Sequence, residues 1–317
     1  WLATGLAHIV WTVGIFIALY LVIILGFRSL GHRNTATLHG IAVCLVVVSL
    51  LLEPVRTTIW FGQINVFLML IILADLLRGE DSRLRGAGAG LAAGIKLTPL
   101  IFVGYLLVLR QWRAAITLVG TFALTVVVGA ILMPSASKDY WTETLFDSDR
   151  VASPQTAGNQ SIRGALANLG HTDEPNTLAW VALSVLAVAL GLGAAVLAHR
   201  HGQELLALSL VGMTSCIVSP VAWGHHWVWL VPLLIVAIHL VFTLRSVPAR
   251  IVVAAATIAG FALSIAWRHH LAYPGWYVNR SVDAFYLTGT FFKGVGHWYR
   301  WFIVQPYNMI FVIVAVA

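Results

Sequence analysis

The chain has 317 residues, of which 60% are apolar and only 10% charged, and its mean hydropathy is +0.89. Soluble domains carry about 25% charged residues, so this sequence cannot cover an aqueous surface, and a water-soluble fold is excluded. The formal charge of +7 does not mark a nucleic-acid binder, because the basic residues stand in loops between apolar runs, where they act as topology determinants and lipid-headgroup contacts.

In chain order, apolar segments fall at 6–27, 38–52, 64–77, 86–109, 114–133, 178–197, 205–218, 227–243, 251–267 and 301–317. Several are shorter than the ~20 residues a spanning helix needs. This predicts an all-α, polytopic membrane fold in which some helices are broken or re-entrant. Thirteen tryptophans suit anchoring at the membrane interface. Cys44 and Cys216 lie inside apolar stretches and read as packing residues, with no disulfide or metal site. The chain begins at Trp1 and ends in the apolar run Met309 to Ala317. Both ends read as cut, and an N-terminal helix and first outer loop are expected upstream.

The segment 86–109 decides the topology. Arg83 and Arg85 precede it; Arg110 and Arg113 follow it. If it crosses the membrane once, short loops on the inner side carry five Lys or Arg and those on the outer side carry six. If it turns back near Lys96-Leu97-Thr98-Pro99, the inner short loops carry ten and the outer ones only Arg56. The enrichment of Lys and Arg on the cytoplasmic side favours the second arrangement. Residues 134–177 and 268–300 then form two long extracytoplasmic loops within a single transmembrane domain, 1–317. The Glu53 to Gly62 loop and the His225-His226 turn fall on the same outer face. Gly86, Gly88, Gly90 and Gly94 read as a small-residue face for close helix packing. They are no nucleotide loop, since Gly-Lys-Ser/Thr is absent.

Candidate chemistry sits on that outer face. Glu53-Pro54-Val55-Arg56-Thr57 stands just ahead of Trp60-Phe61-Gly62-Gln63-Ile64-Asn65, which opens the next helix, and Pro54 is expected to end the preceding one. Gln63 and Asn65 can cap a helix or bind a hydroxyl-rich ligand; Glu53 and Arg56 can pair. Lys96 falls inside an apolar hairpin, where a lysine costs roughly 2.5–3.5 kcal/mol on insertion unless it reaches water or an anion. A lipid phosphate would meet that need, and snorkelling to the interface is the alternative. Asn159-Gln160-Ser161-Ile162-Arg163, between Gly158 and Gly164, suits a sugar or phosphate as well as a solvated turn. Asp147 and Asp149 in the same loop could be carboxylate bases. Ser219-Pro220-Val221-Ala222-Trp223-Gly224-His225-His226-Trp227 sets two histidines between two apolar helices, and an ionisable cluster at that depth is a functional-site hypothesis. A neutral imidazole can accept a proton or hold a hydroxyl. Neighbours on a helix point about 100° apart, so one of the two histidines faces a given site. Zinc would need further ligands at suitable spacing, and no metal is expected. His269-His270 reads as interfacial.

Four blocks in sequence order carry a resemblance. They are Glu53-Pro54-x-Arg56-x-Thr58-x-x-x-Gly62-Gln63-Ile64-Asn65, Gly94-Ile95-Lys96-Leu97-Thr98-Pro99, Asn159-Gln160-Ser161-x-Arg163-Gly164 and Ser219-Pro220-x-x-Trp223-x-His225-His226-Trp227. Together they resemble glycosyltransferase family 87. These are GT-C-type, polyprenol-phosphate-mannose-dependent α-(1→2)-mannosyltransferases of mycobacteria and their relatives, nearest to those that extend phosphatidylinositol mannosides. The resemblance covers roughly residues 40–235. It implies an inverting single displacement, in which a base takes the acceptor proton as phosphate leaves. It implies no cofactor and no nucleotide sugar. The implied partners are a polyprenyl-phosphate-mannose donor, a phosphatidylinositol mannoside, lipomannan or lipoarabinomannan acceptor, and membrane lipids. The implied location is the cell membrane, multi-pass, with the active site on the periplasmic or extracytoplasmic face.

In this family the catalytic aspartate resembles a residue of the first outer loop, which would stand upstream of Trp1. Within the sequence, the resemblance then leaves His226, and next His225, as the catalytic partner. Lys96, Arg163 and Arg56 are the donor-phosphate candidates. Glu53, Gln63, Asn65, Asn159, Gln160 and Trp223 are the sugar and acceptor candidates. Two other readings stay open: an arabinofuranosyltransferase using decaprenyl-phosphate-arabinose, and a transporter or flippase of lipid-linked sugars. Transporters often carry inverted repeats, and no block recurs here.

Overall fold

The computed structural model describes residues 4–147, 152–270, 285–292 and 304–317. Asp149 and most of the expected second outer loop lie outside them. The helices are α1 (Thr4–Ser29), α2 (Ala36–Ser49), α3 (Glu53–Trp60), α4 (Asn65–Leu76), α5 (Ala87–Ile95), α6 (Ile101–Val108), α7 (Trp112–Leu132), α8 (Pro134–Asp139), α9 (Ile162–Gly170), α10 (Thr177–Arg200), α11 (Glu204–Val218), α12 (Leu230–Thr243), α13 (Val247–Ser264) and α14 (Pro306–Val316). Among the described residues, five helical stretches are long and apolar enough to cross a membrane: 5–29, 112–132, 177–200, 224–243 and 247–264. The pair α3 and α4 passes the same test as one span, bent by 118°. The fold is therefore all-α and polytopic, as the hydropathy pattern requires.

Burial sorts these helices into a centre and a rim. Helix α11 is apolar or small on every side, and residues 207–217 are all buried. A helix that is hydrophobic all round belongs in the interior, and α11 packs against α6, α10, α12 and α14. Helices α7 and α13 are equally apolar, yet only 11% and 6% of their spanning windows are buried. Their exposed faces, such as Ile116, Leu124 and Ile131 on α7, are built for lipid rather than water.

The segment 86–109 turns back on itself. Helix α5 stops at Lys96, whose extended backbone (φ −149°, ψ 129°) breaks the helix. A single 3₁₀ turn over Thr98–Leu100, with Pro99 inside it, leads straight into α6. Start and finish then meet: Arg85 Nε donates to Gln111 Oε1 at 3.2 Å. Helix α5 reaches this depth by lying directly on α7. A Cβ added to Gly90 would stand 2.4 Å from the Leu118 carbonyl, and one added to Gly94 would stand 2.2 Å from Thr125 Oγ1. The glycines recur every four residues on one face, so the small-residue stripe is a packing surface.

A buried polar network ties that end of the molecule together, and the sequence reading did not anticipate it. Asp75 Oδ2 accepts the Gly86 and Ala89 amides at 2.9 and 3.0 Å, capping α5 from its N-terminus. Arg85 is 3% exposed and also donates to the Leu76 carbonyl and to Glu204 Oε1 at 3.3 Å. Glu204 in turn accepts from the Tyr105 hydroxyl at 3.2 Å and meets the His199 ring. Helices α4, α5 and α11 all have one end in this network.

Three expectations change. Pro54 begins a helix rather than ending one, because a proline in the first turn has no amide hydrogen bond to lose. The first of the two expected outer loops, residues 134–177, is partly helical: α8 continues through a π turn at Tyr140–Thr144, and α9 follows. The second contributes a two-stranded antiparallel ladder of β1 (Trp267–His270) with β2 (Phe285–Thr288), pairing Trp267 with Thr288.

Candidate active site

At the other end of α4, α5 and α11, four sequence-distant pieces converge. Within the short helix α3 the hydroxyls turn back onto the backbone: Thr57 Oγ1 donates to the Glu53 carbonyl and Thr58 Oγ1 to the Pro54 carbonyl, both at 2.7 Å. The chain then reverses through Gly62, at φ +61°, a left-handed position that suits glycine, and the Gln63 amide closes onto the Thr58 carbonyl at 2.8 Å. This reversal delivers Asn65 as the first residue of α4. Its Nδ2 donates to the His225 carbonyl at 2.8 Å, and its Oδ1 accepts the Lys96 ammonium at 3.0 Å. One side chain thus joins the α3–α4 bend, the tip of the re-entrant hairpin and the histidine turn.

The histidine turn is a 3₁₀ segment, Gly224–Trp229, running into α12. Two glycines make it possible. A Cβ on Gly224 would stand 2.1 and 2.3 Å from the Glu53 carboxyl oxygens, and one on Gly212 would stand 2.0 Å from the Trp229 ring. The rings of His225 and His226 are 4.7 Å apart and nearly perpendicular. His225 is buried against Phe61. His226 lines a cavity together with Asn65, Lys96, Thr98, Ser215, Cys216 and Ser219. Cys216 Sγ donates to the His226 carbonyl at 3.2 Å, so this cysteine sits at the site and does more than fill space.

Lys96 is the charged member of this cavity. Among the described residues, no carboxylate lies within ion-pair reach of its ammonium. It also borders a second, more open groove lined by Phe122, Thr125, Gly129 and Trp141. A half-buried cation whose bonded partner is a neutral amide is an anion-binding arrangement.

Glu53 is 2% exposed. Thr57 Oγ1 donates to its Oε1 at 2.9 Å, and the Tyr307 hydroxyl of α14 donates to Oε2. Both oxygens are engaged, so the carboxyl faces the protein. Tyr307 could not have been found from the sequence: it lies 254 positions from Glu53, inside an unremarkable apolar run.

The remaining predicted residues fall elsewhere. Asn159 and Gln160 are fully buried in a clamp that fastens residues 154–161 to 219–222. Asn159 Oδ1 accepts the Ala222 amide at 3.0 Å and the Ser161 hydroxyl at 2.8 Å. The Gln160 amide donates to the Ala222 carbonyl at 2.7 Å, and Gln160 Nε2 to the Val304 carbonyl at 2.8 Å. Ser161 then caps α9 through Gly164 N at 3.1 Å. Arg163 stacks over the Trp180 ring at 5.5 Å. Arg56 is exposed on α3, and Gln63 and Trp223 are half-buried. The geometry therefore brings His226, Lys96 and Asn65 together in the cavity wall, sets His225 and Glu53 behind it, and leaves Arg56, Arg163, Asn159 and Gln160 away from it.

The chain is similar to curated mannosyltransferases of mycobacteria. A polyprenol-phosphate-mannose-dependent alpha-(1-2)-phosphatidylinositol mannoside mannosyltransferase of Mycolicibacterium smegmatis is 38% identical over 221 residues, 68% of this chain and 49% of the relative. The protein of the same name from Mycobacterium tuberculosis is 39% identical over 185 residues, 58% of this chain and 43% of the relative. A pentamannoside mannosyltransferase of Mycolicibacterium smegmatis is 33% identical over 240 residues, 74% of this chain and 56% of the relative. The chain spans about half the length of the curated relatives it matches. No solved structure matches it. The profile of glycosyltransferase family 87 matches residues 1–220, and the chain belongs to that family.

Proposed function

We propose that this chain carries the main part of an inverting mannosyltransferase. It would move mannose from a polyprenyl-phosphate-mannose donor to a mannosylated phosphatidylinositol glycolipid, forming an α-(1→2) linkage. The observation that carries the reading is Lys96: a cation bonded to a neutral amide, in a cavity shared with His226, at the tip of a membrane-embedded hairpin. The names of the relatives supply the donor, the acceptor and the linkage.

In the single displacement, the acceptor hydroxyl attacks the anomeric carbon, a general base removes its proton, and the sugar–phosphate bond breaks on the opposite side. The leaving phosphate gains negative charge, and Lys96, oriented by Asn65, stands where that charge is stabilised. His226 orients the hydroxyl or relays its proton. Asn159 and Gln160 act at one remove, by holding residues 219–222. We place the site on the extracytoplasmic face of one transmembrane unit, since the reversal of 86–109 leaves the ten inner basic residues at the opposite end.

The test uses the full-length protein in nanodiscs with radiolabelled polyprenyl-phosphate-mannose and phosphatidylinositol mannoside acceptors. Transfer that falls at least about tenfold in Lys96→Ala and His226→Ala, with folding intact, supports the reading. Transfer unaffected by both changes removes the site assignment. Activity with decaprenyl-phosphate-arabinose alone moves the donor to arabinose, and silence with both donors removes the transferase.

A further inference from the structure

We propose that Tyr307 is a positioning residue of this site, acting on Lys96 through Glu53, the Gly224–His225 backbone and Asn65. The path is continuous. The Tyr307 hydroxyl donates to Glu53 Oε2. The Glu53 carboxyl lies flat on Gly224, so close that a Cβ there would stand 2.1 Å from Oε2. The next residue presents its carbonyl to Asn65 Nδ2 at 2.8 Å, and Asn65 Oδ1 holds Lys96 Nζ at 3.0 Å. Two hydrogen-bonded stretches, Tyr307–Glu53 and His225–Asn65–Lys96, meet at the close Glu53–Gly224 packing contact, and a close-packed interior transmits a displacement there instead of absorbing it.

The first turn of α14 holds Tyr307 in place from several sides. Gln305 Nε2 donates to the Asn159 carbonyl at 3.2 Å and Asn308 Nδ2 to the Ser161 carbonyl at 3.3 Å. The Tyr307 ring packs on Trp227 at 5.5 Å and on Phe291 at 5.9 Å. This segment lies beyond the 1–220 profile match, yet it fastens both the clamp and the histidine turn. Thr57 and Tyr307 hold one carboxyl oxygen each, and Glu53 is not among the residues lining the cavity, so its work is to set geometry.

The inference rests on Lys96 as the phosphate-facing cation, and its test separates the two ideas. The full-length protein in nanodiscs is acetylated with an amine-reactive ester, and modification of Lys96 is compared with that of exposed Lys138 by peptide mass spectrometry. Tyr307→Phe, which keeps the ring and removes the hydroxyl, is expected to raise relative Lys96 labelling about threefold or more, as is Glu53→Gln. The double variant should add nothing, because both changes act along one path. In the transfer assay the donor KM should rise with the acceptor KM unchanged, whereas partial unfolding would lower only the active fraction. If Tyr307→Phe does not fold, Thr57→Val removes the other carboxyl donor and carries the same expectation. Unchanged Lys96 labelling, or effects that multiply in the double variant, would overturn the proposal. A wild type that transfers no mannose would remove the donor reading, while the labelling ratio still decides the role of Tyr307.

Discussion

Asn65 and Asn159 are both buried asparagines in short polar runs, and the structure gives them opposite work. Asn65 spends its amide on the His225 carbonyl and on Lys96 at the cavity wall; Asn159 spends its amide on the Ala222 amide, the Ser161 hydroxyl and the Pro220 carbonyl. Asn65→Ala frees Lys96 and takes the 2.8 Å donor from the His225 carbonyl, to which Thr58 Oγ1 also points at 3.5 Å. The donor kcat/KM is expected to fall by about tenfold or more, the worth of one hydrogen bond to a charged group at about 1.5–3 kcal/mol. Asn159→Ala leaves a buried amide and hydroxyl unsatisfied, a penalty of about 1–3 kcal/mol each. It should lower the thermal midpoint by several degrees with the KM values of the residual activity unchanged. Thermal melts and steady-state kinetics on the two variants check both statements. The sequence marked both asparagines because polar residues in an apolar chain must be satisfied or used. It could not say which, since that depends on partners such as Ala222 and His225 that are 63 and 160 positions away. Lys96 was legible for the same energetic reason; Tyr307 and Cys216 were not, because tyrosine and cysteine are unexceptional in apolar helices.

Among the elements, the α5–α7 contact positions the tip of the hairpin. Gly86, Gly90 and Gly94 face α7, whereas Gly120 of α7 has no neighbour within 4 Å of an added Cβ. Gly90→Val would drive a side chain into the Leu118 carbonyl, and overpacking of this kind costs about 1–3 kcal/mol. The same change pushes α5 off α7 and so moves Lys96, which predicts reduced transfer along with a lower thermal midpoint. Gly120→Ala should be neutral or stabilising by up to about 1 kcal/mol, because alanine is the better helix former. A midpoint that falls equally in the two variants would mean that α5 does not pack on α7 through this face. The small-residue face was readable from the run of glycine and alanine over 86–94, and the structure shows that Gly86, Gly90 and Gly94 are the members that meet α7. The start of α3 was not readable: Pro54 is compatible with the end of one helix or the first turn of the next, and the backbone turns extended at Leu52, so that Pro54 falls in the first turn of α3.

For the whole molecule, the reversal of 86–109 fixes which surfaces share a side of the membrane. Two independent observations support the reversal: the asymmetric distribution of Arg residues in the sequence, and the Arg85–Gln111 and Arg85–Glu204 contacts that bring the hairpin's two feet and the start of α11 into one network. Each of α4, α5 and α11 runs from that network to the site, and their 9 to 15 residues of helix span about 14–22 Å, so the network and the site stand at opposite ends of these helices. Substituted cysteines test this directly. In a Cys44→Ala background, with Cys216 buried and shielded, single cysteines are placed at exposed Asp81, Arg110 and Glu174. An impermeant thiol reagent should reach Asp81→Cys and Arg110→Cys only in inverted vesicles, and Glu174→Cys only in intact cells. Were Arg110→Cys to label in intact cells while Asp81→Cys and Glu174→Cys labelled only in inverted vesicles, the hairpin would cross the bilayer, the basic residues would divide almost evenly between the two sides, and Lys96 would no longer share a face with the histidine turn.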